Sequence, residues 1–482
     1  MILKRFYEDR LAQASFLLGC PTSGEAIVID SNRDIEPYIS AARSEGLRIT
    51  TVTETHIHAD FVSGSRELAS RTGAVLAVSG EGGPDWQYSF AGQPGVKLLR
   101  DGDMIRAGSV CLTVKHTPGH TPEHLAFLLT DQATAPEPVG AFSGDFIFAG
   151  DVGRPDLLER AAGISGTMEA GARQLFRSLN SVRELPDRLL LWPGHGAGSA
   201  CGKKLGGMPV TTLGYERIAN WAFQVEDESQ FVRQILEDQP EPPRYFAAMK
   251  RINKIGAGTP ASAPARLSTE ALAAALRDHA VQVVDLRPAA NFAEGFIPGS
   301  ISIPLNKSFL NWAGALLLPE PEIYLLGEER QVREATAALT LIGLDHVSGW
   351  LEPEVIEFRR NRRGDLARME QIDAARVLER QKKGQLVLDV RAATEFREGH
   401  IPGAVHIPLG CLPEEAAALS RDSGIVVHCQ GGARSPIALS ILRRLGFHNV
   451  ANFPGGFADY QRQGLPVETG AATDLAGPVS GR

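Results

Sequence analysis

At 482 residues the chain has room for about three domains of ordinary size. Hydrophobic residues make up 43% and charged residues 22%, as in a soluble globular protein, and a formal net charge of −8 argues against nucleic acid as the main partner. No run approaches the roughly 18–20 apolar residues of a membrane span, and the charged N-terminal segment is unlike a signal peptide. The five scattered cysteines (Cys20, Cys111, Cys201, Cys411, Cys429) contain no Cys-x-x-Cys, which points to a reducing, cytoplasmic setting and a reactive thiol rather than a disulfide framework.

In chain order, Met1–Phe6 and Ala14–Leu18 read as a hairpin, Glu25–Asp30 as a strand and Ile35–Glu45 as a helix. The β-branched run Ile49–Thr53 reads as a buried strand. It leads into Thr55-His56-Ile57-His58-Ala59-Asp60-Phe61, and Ser63 and Gly64 then open a helix through Arg71. Three more strand-like runs, Val110–Val114, Val139–Phe142 and Leu189–Leu191, each end in polar residues. Those ends are His116-Thr117-Pro118-Gly119-His120, Ser143-Gly144-Asp145 and Trp192-Pro193-Gly194-His195. Four ligand-rich loops at strand ends describe one metal site held on a rigid frame. Leu213–Leu236 has helical spacing and is expected to pack on this first domain as an extension. Gly256–Pro264 has linker composition.

The order His-x-His-x-Asp, Thr-Pro-Gly-His-Thr, Ser-Gly-Asp, Pro-Gly-His resembles the metallo-β-lactamase superfamily. The resemblance implies an αββα sandwich over residues 1–255. Dinuclear members continue His-x-His-x-Asp with a further His, where this chain has Phe61. Phe61 has no lone pair, so the expectation is one metal per chain on His56, His120 and Asp145, with His58, Asp60 and His195 in support. Two imidazoles and a carboxylate suit Fe(II), and zinc accepts the same ligands. Arg154 is either a substrate-anion anchor or half of a surface ion pair. Cys201 is either a small packed residue or a thiol at the pocket mouth, activated by Lys203 and Lys204.

Beyond the linker (256–265) the chain repeats itself. Asp285-Leu286-Arg287 and Gly295-Phe296-Ile297-Pro298-Gly299 are matched by Asp389-Val390-Arg391 and Gly399-His400-Ile401-Pro402-Gly403. Both copies, at 266–362 and 366–468, resemble the rhodanese domain, an α/β fold. Residues 470–482 have the composition of a disordered tail. In the second copy the strand Ile425–His428 ends at Cys429-Gln430-Gly431-Gly432-Ala433-Arg434, with Ser435 as the expected N-cap and Pro436 as the first helical residue. Backbone N–H groups of Gln430, Gly431, Gly432, Ala433 and Arg434 can ring one anionic sulfur on Cys429. The six-residue loop is one residue shorter than that of tyrosine phosphatases, which favours sulfur transfer over phosphate. In the first copy Gly327 stands where Cys429 does, followed by Glu328 and Glu329, so that copy is expected to be a scaffold or an oligomerisation surface.

Together the halves resemble persulfide dioxygenase–rhodanese fusions of bacterial sulfide detoxification. The resemblance implies that a low-molecular-weight thiol persulfide and O₂ give sulfite at Fe(II), and that the rhodanese joins sulfite to a sulfane sulfur as thiosulfate. A homo-oligomer, dimer or tetramer, is expected. Two other classes stay open: a glyoxalase-II-like thioesterase with two metals, and a non-enzymatic sulfur carrier using Cys429 alone.

Overall fold

The computed structural model describes residues 1–160, 166–237, 239, 242–258, 263–268, 281–361 and 366–470. The chain divides into two compact units, with the boundary between Pro260 and Ala261. That boundary falls in the expected linker, of which 259–262 lie outside the described residues, as does 471–482 of the expected tail.

The first unit holds two six-stranded sheets. One runs β1–β6 in sequence order: β1 (Ile2–Glu8), β2 (Gln13–Cys20), β3 (Glu25–Ile29), β4 (Arg48–Thr53), β5 (Val75–Ser79) and β6 (Val96–Leu99). The other contains β7 (Met104–Ala107), β8 (Val110–His116), β9 (Leu125–Asp131), β10 (Gly140–Gly144), β11 (Leu190–Pro193) and β12 (Thr211–Thr212), in reverse order across the sheet. Strand alternation explains the layering. Phe16 and Leu18 of β2 join Val110, Leu112, Val114, Phe127 and Phe142 between the sheets. Leu17 of the same strand faces the other way, onto Tyr38 and Ala42 of α1 (Glu36–Ser44) and Leu68 of α2 (Ser65–Thr72). Leu175, Phe176 and Leu179 of the helix Thr167–Ser181 pack with Leu191 and Phe231 on the outer face of the second sheet. Each fully buried Leu or Phe contributes roughly 1.5–3 kcal/mol, and the result is an αββα sandwich.

The expected long helix over 213–236 is three short ones, Leu213–Ala219, Trp221–Gln224 and Glu228–Leu236. Asn220 and Asp227 break it. Both have extended backbone, and each side chain accepts the N–H that starts the next helix, from Ala222 and Gln230. A further helix, Tyr245–Ile255, ends at Gly256 (φ +95°) and was not read from the sequence.

The second unit contains two five-stranded parallel sheets of identical topology. Their central strands are Gln282–Asp285 beside Ile323–Leu326, and Leu386–Asp389 beside Ile425–His428. The repeat keeps its register: Asp285 lies opposite Leu326 as Asp389 lies opposite His428. The two sheets form one compact unit rather than two. Ser302 N donates to the buried Ser440 Oγ at 3.1 Å, and the Arg444 guanidinium reaches the carbonyls of Gly299 and Val281. No helix among the described residues is long and apolar enough to cross a membrane.

Candidate metal centre and sulfur-transfer loop

Strand ends β4, β8, β10 and β11 bring the four ligand-rich loops of the first unit to one edge of the sandwich. Because β10 and β11 run parallel with Gly144 beside Pro193, Asp145 and His195 emerge next to each other. The approach is close enough that a Cβ on Gly194 would sit 2.9 Å from Asp145 Oδ1. The ligand atoms of His56, His120 and Asp145 lie within 4.8 Å of one another. Asp145 Oδ2 is 3.9 Å from His56 Nε2 and 3.5 Å from His120 Nε2.

Hydrogen-bond counting fixes which nitrogen of each imidazole is free. His120 Nδ1 lies 2.9 Å from the Arg154 carbonyl and His195 Nδ1 3.2 Å from the Ala12 carbonyl. A carbonyl only accepts, so both rings carry a proton on Nδ1 and turn Nε2 toward the cluster. Thr55 Oγ1 donates to Asp30 Oδ2 (3.0 Å) and therefore accepts from His56 Nδ1 (3.0 Å), which frees His56 Nε2 as well. Burial holds His56 well below the usual imidazole range and pulls His120 down to about 3, with Lys250 adding to both, so the two rings stay neutral. Burial likewise pushes the Asp145 carboxyl up, against the pull of His195. His56 Nε2 and both oxygens of Asp145 and of Asp60 are buried without a hydrogen-bond partner. Neutral imidazoles and carboxylates converging with their lone pairs exposed fit a divalent cation.

His58 belongs to a different set. Its Nε2 lies 3.0 Å from Asp30 Oδ1, and although burial works against its charge, Asp30, Glu54 and Asp60 raise it to about 9. Asp30, held in left-handed backbone (φ 54°), also accepts the Thr55 N–H at 2.7 Å, so one carboxylate aligns both histidines of the loop. The buried Phe61 ring packs on His58 at 4.3 Å between centroids.

Asp60, His195 and Cys201 form a second convergent cluster. His195 Nε2 is 3.2 Å from Asp60 Oδ2 and 3.5 Å from Asp145 Oδ1. Cys201 sits inside this cluster, 1% exposed, rather than at a pocket mouth. Burial, then Asp60 and Asp145, push its thiol well up. The expected help from Lys203 and Lys204 is absent: Lys203 Nζ donates to the Glu237 carbonyl, and the backbone N–H groups of both lysines bind Asp151. Arg154 is not on the surface. It is fully buried, forks onto Asp156 at 3.0 and 2.7 Å, and donates to the Ala200 carbonyl. Its guanidinium thus holds the Cys201 loop while its own carbonyl orients His120.

Several supporting residues were not legible in the motif pattern. Asp145 N–H donates to His124 Nε2 (3.1 Å), and Glu123 Oε1 accepts from Ile57 N–H (3.0 Å). Tyr88 OH donates within a buried group that includes Glu54, beneath the His56 carbonyl. Asn253 of the unforeseen helix is the main outside tie. Its Nδ2 donates to the carbonyls of His58 (2.9 Å) and Phe61 (2.7 Å), and its Oδ1 accepts from Ser63 N–H. Asn253→Ala leaves three buried backbone groups unsatisfied, at roughly 1–3 kcal/mol each. It should lower the melting temperature and weaken metal retention by about 10–100-fold, as loss of a ligand-orienting contact does. Melting curves with and without a chelator check this.

In the second unit, Cys429 Sγ lies 3.2 Å from Gly432 N and 3.4 Å from Arg434 N, with Ser435 Oγ at 3.8 Å. Gly432 (φ +85°) passes so near Pro454 that a Cβ would lie 2.3 Å from its carbonyl oxygen. The helix begins at Ser435 with Arg434 as its N-cap, one residue earlier than expected, and Pro436 in its first turn. Arg434 contributes its backbone N–H to the sulfur, while its guanidinium is paired with both oxygens of Glu395 (2.6 and 2.7 Å). Gln430 Oε1 accepts from Arg391 at 3.0 Å, and Arg391 forks onto Asp389. The first copy keeps the equivalent fork, Arg287 onto Asp285 and the Gly295 carbonyl, yet has Gly327 at the strand end. The Asp-x-Arg pair is therefore common to both copies, and what separates them is the loop: in the first copy the helix starts at Glu329, just after Gly327 and Glu328, where the second copy has the Cys429–Arg434 loop before its helix at Ser435.

A four-layer sandwich with His, His and Asp at adjacent strand ends defines a metal-binding protein of the metallo-β-lactamase type. Residues 9–195 match the metallo-beta-lactamase superfamily, and residues 268–349 and 373–463 match the rhodanese-like domain. A crystal structure of a metallo-beta-lactamase from Staphylococcus aureus subsp. aureus COL is 44% identical, covers 73% of this chain and 99% of its own, and superposes with a TM-score of 0.67. The chain belongs to the metallo-beta-lactamase superfamily, with two rhodanese-like domains behind that fold. A mitochondrial persulfide dioxygenase of Bos taurus is 26% identical over 274 residues, 54% of this chain and 91% of the relative. A hydroxyacylglutathione hydrolase of Rhodospirillum rubrum is 31% identical over 185 residues, 37% of this chain and 60% of the relative.

Proposed function

We propose that the chain is a persulfide dioxygenase coupled to a sulfurtransferase. Its first unit would oxidise a thiol persulfide with O₂ and water to sulfite and thiol, and its last domain would combine sulfite with a second persulfide sulfur as thiosulfate. The observation that carries this reading is Phe61. Its ring fills the place of a ligand and packs on a His58 that Asp30 has drawn away, leaving His56, His120 and Asp145 as a compact two-histidine, one-carboxylate set. That set suits Fe(II), which when bound would supply O₂ binding and activation. The chain's own part is to hold two neutral imidazoles and a carboxylate in place, through Thr55, the Arg154 carbonyl and the His124 contact. The Cys429 loop then offers N–H donors to a sulfane sulfur, and the persulfide dioxygenase relative supports the pairing of the two activities.

One observation favours a second reading. Asp60, His195 and Cys201 could hold another cation beside Asp145, as a dinuclear thioester hydrolase would need. Anaerobic purification with metal quantification separates the two. About one iron per chain, with O₂ uptake on a panel of persulfides, is expected. Two metals per chain with thioester hydrolysis and no O₂ uptake would overturn the dioxygenase.

A further inference from the structure

The helix Tyr245–Ile255 does more than brace the metal loop through Asn253. One turn before Asn253 it carries Lys250, half-buried, whose ammonium lies 4.6 Å from the centroid of the Trp86 ring. Asn253, one turn further on, is bonded to the His58 and Phe61 carbonyls, so this stretch of the helix lies against the metal loop. The surroundings are built for this approach. Gly82 (φ +79°) lets the Pro84–Trp86 turn close on the loop that follows His120: a Cβ there would sit 2.9 Å from both Trp86 Cβ and Glu123 N. Glu123 is fully buried, with one oxygen bonded to Ile57 N–H and the other, Oε2, without a partner.

Lys250 differs from its neighbour on the same face. Lys254 donates to the Asp85 carbonyl at 2.7 Å and so ties the helix to the turn. Among the described residues Lys250 forms neither an ion pair nor a hydrogen bond; its ammonium lies over the face of Trp86. Burial and Lys254 pull its ammonium down, against Glu123, to about 8, so it remains mostly charged at neutral pH. A half-buried ammonium without a hydrogen-bond acceptor, on an aromatic face and on the helix that ties down the metal loop, has the chemistry of an anion anchor.

We propose that Lys250 and Trp86 form a substrate subsite beside the metal centre that takes the acidic group, carboxylate or phosphate, of the thiol that carries the persulfide. This rests on the reading of the first unit as acting on thiol persulfides. The subsite makes the enzyme select acidic carriers over neutral ones. Trp86 holds the lysine and packs against the body of the carrier, while Lys250 sets the charge requirement.

The test uses the full-length, metal-loaded protein under anaerobic conditions with unreactive probes: S-methylglutathione for carboxylates, S-methyl-coenzyme A for phosphates and S-methyl-2-mercaptoethanol as the neutral control. Calorimetry should show at least one acidic probe binding to the wild type, more weakly as salt rises. Lys250→Gln should weaken that probe about tenfold or more, as loss of one charged contact does. Lys250→Arg should retain most of the affinity, and the neutral probe should be unchanged throughout. Which acidic probe responds tells carboxylate from phosphate. Metal content and melting temperature of each variant confirm that the fold is kept. Should Lys250→Gln fail to fold, Lys250→Met, which keeps the apolar stem and its packing on Trp86, takes its place with the same expected loss. The proposal is overturned if neither acidic probe binds the wild type, if binding is insensitive to salt, or if Lys250→Gln binds the acidic probes as tightly as the wild type. Binding is read without turnover: acidic probes bound through Lys250 in a protein that consumes no O₂ would keep the subsite and sink the dioxygenase.

Discussion

Replacing His120 by alanine is expected to strip the metal and abolish persulfide-dependent O₂ uptake while leaving thiosulfate:thiol sulfurtransfer at Cys429 unchanged. His120 offers one of three close ligand atoms, and its ring is fixed by the Arg154 carbonyl. Residues that only orient a ligand are worth about 10–100-fold in metal affinity, so removal of the ligand itself should exceed that range. The remaining pair, His56 Nε2 and Asp145 Oδ2 at 3.9 Å, leaves two ligand atoms of the set where there were three. Metal per chain and O₂ uptake should fall together. Sulfurtransfer should not, because Cys429 and its N–H donors belong to a separate compact unit. Residual O₂ uptake at the wild-type rate would place the oxygen chemistry on the Asp60–His195–Cys201 cluster instead.

The features read correctly from sequence are local ones. The strand Ile425–His428, the run into Thr55–Phe61 and the helix from Ser65 each arise from patterns within about ten residues, and the structure places them within a residue or two. The failures share a physical cause, which is that distant partners decide. Asn220 and Asp227 look tolerable inside a helical pattern until their side chains cap the next helix. Arg154 reads as either a substrate-anion anchor or half of a surface ion pair, yet Asp156, two residues on, pairs with it inside the fold. Cys201 reads as either a small packed residue or a thiol activated by Lys203; the backbone turns that lysine to Glu237 and leaves the thiol buried among carboxylates. The alignment of His56 and His58 depends on Asp30, and that of their loop on Asn253, residues that lie outside all four ligand-rich stretches. A motif supplies the donors of a metal site. The contacts that fix their direction come from elsewhere in the chain.

The same distinction bears on the Cys-less copy. It retains the Asp285–Arg287 fork and the topology but not the sulfur. Its strand Ile301–Ser302 meets the helix Ser435–Arg444, which begins directly after the Cys429 loop. The helix that follows the loop is thus bonded from behind by the first copy, at Ser440 and Arg444.

Cys429→Ser is expected to change the product rather than the oxygen consumption. The candidate metal set His56, His120 and Asp145 contains no thiolate, so under the proposed function it would release sulfite with no sulfur acceptor of its own. Cys201, a thiol close to that set, is buried beside Asp60 and Asp145, and burial, then those carboxylates, push it well up. Cys429 has no metal ligand set around it, but Gly432 and Arg434 present N–H groups to its sulfur, and a persulfide formed there could be attacked by sulfite. Serine keeps the volume and hydrogen bonds of that loop while removing the nucleophile that can carry a sulfane sulfur. The wild type, given persulfide and O₂, should therefore yield mainly thiosulfate. Cys429→Ser should consume O₂ at the wild-type rate, lose sulfurtransferase turnover and accumulate sulfite in place of thiosulfate. Product analysis against a protein-free control, which corrects for the uncatalysed reaction of sulfite with persulfide, distinguishes the outcomes. An unchanged thiosulfate yield would mean that the second unit does not act after the first, and the Cys429 loop would then need a sulfur acceptor other than sulfite.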